Sequence, residues 1–204
     1  NKKYEDIHMN IEKKLFQIIG EEAGYVHTAR SRNDQVVTDF KLWMKSATKE
    51  INSNLDDIIK SILKLAESNI ETIMPGFTHM KNAQATSLAH YLMAYVEMFN
   101  RDKKRFKNNI ENLNENPLGV AALTGTSFNI DRSYTTRKLG FKNPTNNSID
   151  TVSDRDFVLD FLYTVSVCSI HISRIAEELI IWSSDVFNLI NLSDKIVSGS
   201  SIMP

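Results

Sequence analysis

The chain has 204 residues, of which 42% are hydrophobic and 24% are charged, and its formal net charge is −1. A charge this close to zero argues against a strongly basic nucleic-acid surface, and the single cysteine, Cys168, excludes an intramolecular disulfide. Glycine and proline number only 7 and 4, too few for the turns of an all-β domain. This scarcity predicts a mainly helical protein. Because no apolar run approaches the ~20 residues of a membrane span, we also expect the protein to be soluble and cytoplasmic.

The first half of the chain reads as two helices separated by a loop. An amphipathic stretch from about Tyr4 to Ile19 ends near Gly20, and a polar loop follows over Glu21 to Arg30. A long helix is predicted from about Ser31 to Asn69, because apolar residues recur every seven positions along it. The members of that row are Val37, Met44, Ile51, Ile58 and Leu65, with Phe40 and Ala47 between the first of them.

The second half contains two more long helices. Pro75-Gly76 breaks the chain, and a helix is predicted from about Ser87 to Asn114. A mixed segment, 120–148, contains one short helix near Tyr134 to Lys138, and a last helix runs from about Asp154 to Ser183. Its apolar residues form two rows, Val158-Val165-Ile172-Leu179 and Phe161-Cys168-Ile175-Trp182, and the preceding helix has the row Leu92-Phe99-Phe106-Leu113.

These seams predict an all-α, long-helix bundle. Apolar rows sustained over several heptads require partner helices that pack at about +20°. Three helices of about 30–40 residues are each about 45–60 Å long, which favours an elongated bundle completed by other subunits. Two helix starts carry a Ser followed three residues later by Asp, Ser31 to Asp34 and Ser153 to Asp156, a spacing that resembles a capping box.

The polar stretch His27–Gln35 lies where a loop becomes a helix. A helix N-terminus offers free N–H groups and the positive end of the helix dipole. Arg32 can add a bidentate grip on a carboxylate and Asn33 can donate from its amide, so the stretch is a candidate anion site. The alternative interpretation is an exposed, capped helix start with solvated charges.

Two further segments carry groups capable of chemistry. In the turn Pro75–Met80, His79 can act as a general acid and Thr78 can hydrogen-bond an anionic ligand; a turn histidine bonded to backbone is the alternative. Near the end of the chain, Ser200 can act as a base if positive charge or N–H donors stabilise its alkoxide. A Ser-rich linker is the alternative there.

Taken together, these stretches resemble the fumarase/aspartase superfamily, and within it the argininosuccinate lyases. The resemblance covers nearly the whole chain, and its most specific piece is His27–Gln35. The other matching strings are Met74–Met80, Ala94–Asp102, Ser153–Val158 and the terminal Gly199–Pro204, which is similar to the start of the superfamily's signature loop. Ala29 and Lys81 stand where the family often has Gly and Gln.

The resemblance implies a carbon–nitrogen lyase of arginine biosynthesis that cleaves argininosuccinate to arginine and fumarate by β-elimination. It implies Ser200 as the base and His79 as the acid. Substrate-binding roles fall to Ser31, Arg32, Asn33, Thr78 and His8. It also implies no cofactor and no metal.

The same resemblance implies an assembly and a domain division. The expected assembly is a cytoplasmic homotetramer whose subunits share each active site, without nucleic-acid or membrane partners. Residues 1–29 would end an N-terminal helical domain, and residues 30–204 would form a central helical-bundle domain truncated at the signature loop. The 204-residue chain alone is then expected to be inactive, because the family's loop continues past Pro204 with a Lys and an Asn.

Three alternatives remain. Another lyase of the superfamily, such as adenylosuccinate lyase, shares the signature loop. A non-catalytic, crystallin-like relative would keep the fold. The presence of His79, Ser200, Arg32 and Asn33 argues for catalysis instead. A purely structural coiled-coil module does not explain the polar strings.

Overall fold

In the computed structural model, residues 4–203 are described. Asn1 to Lys3 and Pro204, the last residue of the string that resembles the start of the signature loop, lie outside the described residues. Most of the described chain is α-helical, which confirms the predicted fold class. The helix α1 (Ile7–Ile19) begins after Asp6, whose carboxylate accepts a hydrogen bond from Met9 N at 2.6 Å. This cap explains why the helix starts three residues later than predicted.

A short 3-10 helix occupies Gly20–His27, where a polar loop was predicted. The prediction was wrong because such a helix needs only local i→i+3 hydrogen bonds and leaves no long apolar periodicity in the sequence. It begins at Gly20, whose φ of 76° lies in the left-handed region that glycine adopts without strain. The 3-10 helix separates α1 from the next α-helix.

The three long helices are confirmed. They are α2 (Arg32–Glu67), α3 (Leu88–Asn112) and α6 (Asp156–Ser183), whose ends lie within two residues of the predicted ones. The predicted α3 row is buried throughout, since Leu92, Phe99, Phe106 and Leu113 are all at most 4% exposed.

The predicted row on α2 holds only in its first half. Val37 and Met44 are 1% exposed, but Ile58 and Leu65 are 37% and 49% exposed. The buried positions farther along are Leu55, Ile59, Ile62 and Ala66. An α-helix has 3.6 residues per turn, so a strict seven-residue row drifts by about 20° per heptad. Over four heptads that drift carries the row off the buried face.

An antiparallel hairpin separates α2 from α3, where only a chain break was predicted. It consists of β1 (Ile73–Thr78) and β2 (Lys81–Ser87), and its register shifts between Pro75 and Phe77. This bulge accommodates Gly76, where an added Cβ would lie 2.7 Å from the carbonyl oxygen of Gln84. The glycine that reads as a chain break is therefore required by close approach of two strands.

Short elements fill the segment between α3 and α6. The predicted short helix is confirmed as α4 (Arg132–Leu139), which is capped by Asp131 at its start and by Gly140 in the left-handed conformation at its end. Two two-residue strands, β3 (Glu115–Asn116) and β4 (Asn143–Pro144), pair in parallel.

The second predicted capping box is wrong. Ser153 closes an additional helix, α5 (Ser148–Ser153), and its hydroxyl donates back to the carbonyls of Ile149 and Asp150. The carboxylate of Asp154 instead accepts a hydrogen bond from Asp156 N at 2.9 Å. The helix α6 therefore starts two residues later than the sequence pattern suggested.

The described residues form two compact units. Unit 1 contains the described part of Asn1–Ala47 together with Ile110–Phe157, and unit 2 contains Thr48–Asn109 together with the described part of Val158–Pro204. The predicted domain boundary between residues 29 and 30 stays a prediction.

Polar side chains inside unit 2 tie α3 to α6. Asp102 is fully buried, and its carboxylate lies 2.7 Å from His171 Nδ1 and 3.0 Å from Arg105 Nη1. Farther along, the carboxylate of Glu178 accepts hydrogen bonds from the hydroxyls of Tyr91, at 2.6 Å, and Tyr95. Burial, reinforced by that carboxylate, raises the pKa of both tyrosines, so their hydroxyls remain donors.

One face of α6 is apolar and exposed. It comprises Leu159, Leu162, Tyr163, Ile170 and Ile180, all at least 53% exposed. Among the described residues, α6 is the one helix long and apolar enough to cross a membrane, with 11% of its apolar window buried. The sequence pattern predicts no apolar run of this length, so this helix differs from the prediction. The core helix of a soluble protein passes the same test of length and composition.

Candidate active-site residues

The start of α2 is capped by its own polar string. Ser31 Oγ accepts a hydrogen bond from Asn33 N at 3.2 Å, and Asp34 Oδ1 accepts one from Ser31 N at 2.9 Å. The predicted capping of this helix is confirmed, with the serine serving the second N–H of the helix rather than the third. The cap fixes the backbone of all three predicted substrate-binding residues at this position.

Asp34 also holds a distant loop against α2. Its second oxygen, Oδ2, accepts hydrogen bonds from Gly119 N at 3.0 Å and Ala121 N at 2.9 Å, and the side chain is fully buried. The loop needs this support, because Ala121 has a φ of 55°, a conformation that costs a non-glycine residue about 1–2 kcal/mol. Asn33 donates from Nδ2 to the carbonyl of Ala122 at 2.8 Å, so its amide also faces the loop.

The guanidinium of Arg32 is partly occupied. Nη1 donates to Glu12 Oε1 at 2.7 Å and to Gln35 Oε1 at 2.8 Å, and Nε lies 3.3 Å from Asp6 Oδ2. Nη2 has no partner among the described residues. The bidentate grip that the sequence suggested is therefore not free in this structure. Each pair of neighbouring N–H groups, Nε with Nη2 and Nη1 with Nη2, already has one nitrogen in contact with another side chain.

Glu12 is the carboxylate that the sequence analysis missed. Hydrogen bonds from Arg32 and Arg30 lower the pKa of Glu12 to about 2 despite partial burial, and the hydrogen bond that Arg32 donates to Glu12 raises the pKa of Arg32. The partners are 18 and 20 residues apart in sequence. No local periodicity could have paired them.

His8 lies on the first turn of α1. Its Nδ1 is 3.8 Å from Asp39 Oδ2, and its side chain is 18% exposed. That distance is too long for a hydrogen bond, so the ring remains able to take another partner. The structure brings α1 to the start of α2 through the contacts of Asp6 and Glu12 with Arg32, which places His8 on an element adjoining that residue.

Thr78 and His79 lie at the tip of the hairpin. His79 and Met80 both have left-handed backbones, with φ of 52° and 59°, as at the two central positions of a type I′ turn. Neither residue favours this conformation, and strained positions of this kind cluster at functional sites. The turn presents the exposed imidazole beyond the strand ends, with Thr78 paired across from Lys81.

Ser200 lies in the coil that follows α6. Its Oγ accepts hydrogen bonds from Ile202 N at 3.2 Å and Met203 N at 2.9 Å. Two N–H donors aimed at one hydroxyl oxygen stabilise negative charge on that oxygen. The residues are exposed, so the hydroxyl is accessible.

The predicted site residues divide between the two units. Unit 1 holds His8, Ser31, Arg32 and Asn33, and unit 2 holds Thr78, His79 and Ser200. The structure brings Ser31, Arg32 and Asn33 together at one helix start and places Thr78 next to His79. Within unit 1, a cavity of about 450 Å³ has Arg30 and Gln35 in its wall but none of the predicted substrate-binding residues.

Comparison with known proteins places the chain among lyases. A family model described as "Lyase" matches residues 1–204. The argininosuccinate lyase of Pelagibacter ubique (strain HTCC1062) is 83% identical over 204 residues, which are 100% of this chain and 44% of that relative. The chain thus spans less than half the length of the relative it matches.

Solved structures show the same fold. EDDS lyase in complex with formate superimposes with a TM-score of 0.90 and 30% identity, over 95% of this chain and 39% of that one. A class II fumarase from Schistosoma mansoni superimposes with a TM-score of 0.74 and 20% identity, over 88% of this chain and 43% of the fumarase. At that identity the fumarase supports the fold alone.

Proposed function

Since the chain belongs to the lyase family, we propose that the protein containing it cleaves argininosuccinate to arginine and fumarate. The observation that carries this proposal is the 83% identity, maintained over all 204 residues, to an argininosuccinate lyase. Because the chain spans 44% of that relative, the activity is proposed for the whole protein.

The proposed reaction is a β-elimination. A base removes a proton from the carbon next to a carboxylate, the electron pair of that C–H bond forms the new double bond, and the C–N bond breaks. An acid protonates the departing guanidinium nitrogen, so both products leave with balanced protons. Negative charge delocalises into the carboxylate on the way, and its electrostatic stabilisation lowers the barrier.

We assign the base to Ser200. An alkoxide forms on a serine only where donors or positive charge stabilise it, and two backbone N–H groups lie at 2.9 and 3.2 Å from this oxygen. Exposure of the surrounding coil allows the loop to close over substrate, as active-site loops commonly do.

We assign the acid to His79. The turn at the hairpin tip holds its backbone in a left-handed conformation, and the residue is exposed. An imidazolium can donate a proton to a leaving nitrogen as a general acid. Thr78, the neighbouring residue on β1, supplies a hydroxyl to a substrate carboxylate.

Substrate carboxylates are proposed to bind at the start of α2. Ser31 and Asn33 lie at the positive end of the helix dipole, and Arg32 offers Nη2. His8 on α1 completes this group. Arg32→Ala should weaken substrate handling by about 2–4 kcal/mol, the range for leaving a charged partner unpaired, and an unchanged kcat/KM would contradict the role.

The proposed assembly is a cytoplasmic homotetramer. The exposed apolar face of α6, from Leu159 to Ile180, is the supporting observation. Contiguous apolar surfaces of this kind mark sites of protein–protein contact. Division of the site residues between two units is consistent with sites built from more than one subunit.

A second lyase activity remains the alternative. The structural similarity to EDDS lyase, at 30% identity, favours a lyase whose substrate is not argininosuccinate. A panel of substrates separates the two, because only an argininosuccinate lyase releases arginine.

The test uses the full-length protein and paired serine variants. Ser200→Ala should lower kcat by at least about 100-fold while KM changes little, because a base acts in the transition state. Ser201→Ala, one residue away in the same exposed coil, is the matched control and should retain most activity. A Ser200→Ala variant that keeps most of its kcat would show that another group is the base.

A further inference from the structure

We propose that Glu12 is a positioning residue for substrate binding: it holds the Arg32 guanidinium so that Nη2 is presented to a substrate carboxylate. This inference rests on the proposed function and deepens it, because it names the group that orients one of its binding residues. Glu12 itself need not touch substrate. Its effect is transmitted through Arg32.

A single carboxylate oxygen organises two arginines and a histidine. Glu12 Oε1 accepts a hydrogen bond from Arg32 Nη1 at 2.7 Å, lies 3.4 Å from His27 Nδ1, and also pairs with Arg30 Nη2. The Arg30 side chain is 7% exposed, whereas those of Glu12 and Arg32 are about 30% exposed. The network is therefore anchored on its buried side and open on the side of Arg32.

The contacts of Arg32 leave one direction open. Asp6 occupies Nε, and Glu12 and Gln35 share Nη1. An incoming carboxylate then meets Nη2, whose two hydrogens have no partner among the described residues. A hydrogen bond from Nη2 to that carboxylate is charge-assisted and therefore stronger than a neutral one. The contacts at Nε and Nη1 orient the guanidinium and so set the direction of this bond.

Charge, and not shape alone, makes this arrangement possible. Arg30 and Arg32 bring two guanidinium groups to one oxygen, and these cations repel each other unless an anion lies between them. The arginines hold the pKa of Glu12 at about 2, so the carboxylate stays ionised throughout the range in which an enzyme is assayed. Its influence on substrate binding should therefore be independent of pH between about 5 and 9.

The test is a comparison of steady-state constants in the full-length protein. Glu12→Gln keeps the shape and removes the charge, and we expect KM for argininosuccinate to rise about tenfold, with kcat within about twofold. Glu21→Gln is the matched control, because Glu21 is exposed on the neighbouring 3-10 helix and forms no ion pair within residues 4–203. Its KM should equal that of the wild type.

A double-mutant cycle shows whether the effect passes through Arg32. In an Arg32→Ala background, Glu12→Gln should change KM by less than about twofold, since the group it positions is gone. Equal effects of Glu12→Gln in both backgrounds would overturn the proposal, as would a lowered melting temperature with unchanged KM, the signature of a purely structural role.

A conservative variant covers poor folding of Glu12→Gln. Glu12→Asp keeps the charge with one methylene less reach, and its KM should lie between those of the wild type and Glu12→Gln. A wild-type KM in Glu12→Asp together with a wild-type KM in Glu12→Gln would refute the positioning role while leaving the proposed activity intact. A wild-type protein that releases no fumarate from argininosuccinate would instead refute the proposed function, and this inference with it.

Discussion

Replacement of Asp34 by alanine should be among the most damaging single changes in this chain. The carboxylate is fully buried and accepts three backbone hydrogen bonds, from Ser31 N at 2.9 Å, Gly119 N at 3.0 Å and Ala121 N at 2.9 Å. It thus caps α2 and holds the loop at residues 119–121 with one side chain. Alanine leaves all three donors without an acceptor.

The expected cost follows from those contacts. Hydrogen bonds to a charged group contribute about 1.5–3 kcal/mol each, but the three share one side chain and water partly replaces it, so they do not add. We expect Asp34→Ala to lower the free energy of unfolding by about 3–5 kcal/mol. Asp34→Asn keeps one acceptor but turns an NH₂ group toward N–H donors, and should cost about 2–3 kcal/mol.

Urea denaturation followed by circular dichroism measures this difference, at a fixed protein concentration because assembly affects apparent stability. Asp57→Ala on the same helix is the control. That carboxylate is 72% exposed, and its one ion pair within residues 4–203 is with Lys60, 3.2 Å away, so the change should be within about 0.5 kcal/mol. If the free energy of unfolding of Asp34→Ala lies within about 1 kcal/mol of the wild-type value, the assigned role of this carboxylate is wrong.

Three further predictions concern other parts of the chain. Gly76→Ala should distort the hairpin and reduce kcat, because the new Cβ would meet Gln84 O at 2.7 Å; unchanged kinetics would refute the close approach. Glu12 has a folded pKa of about 2, below its ordinary 4.5, so its contribution to stability is complete above about pH 4.5 and is lost as pH falls toward 2. When the free energy of unfolding is measured against pH, Glu12→Gln should lack the part of the loss between about pH 4.5 and 2 that comes from Glu12. Burial, aided by Asp102, raises the pKa of Cys168 to about 11, so mass-mapped iodoacetamide labelling at pH 8 should be at least about 100-fold slower in the folded than in the unfolded protein; comparable rates would contradict its burial.

Local patterns in the sequence account for the three long helices. Apolar rows every seven residues specified three long helices to within two residues, because that periodicity is written in consecutive side chains. The same local reasoning failed at the hairpin. Its turn is formed by His79 and Met80 in left-handed conformations, and these residues lack the Asn-Gly signal by which such turns are usually predicted.

Contacts between distant residues account for most of what was missed. The match of Ser31 and Asp34 to a capping pattern was visible, but the hold of Asp34 on a loop 85 residues away was not. Ala29 is informative in another way. It has a φ of 55°, a conformation that explains why glycine suits this position better than the alanine found here.

The most direct test of the account is product analysis with the full-length wild-type protein. Incubation with argininosuccinate should release fumarate and arginine in equal amounts, while adenylosuccinate should release no fumarate. Equal release from both substrates, or release from adenylosuccinate alone, would contradict the assignment to argininosuccinate, and absence of fumarate from argininosuccinate would contradict the proposed activity itself.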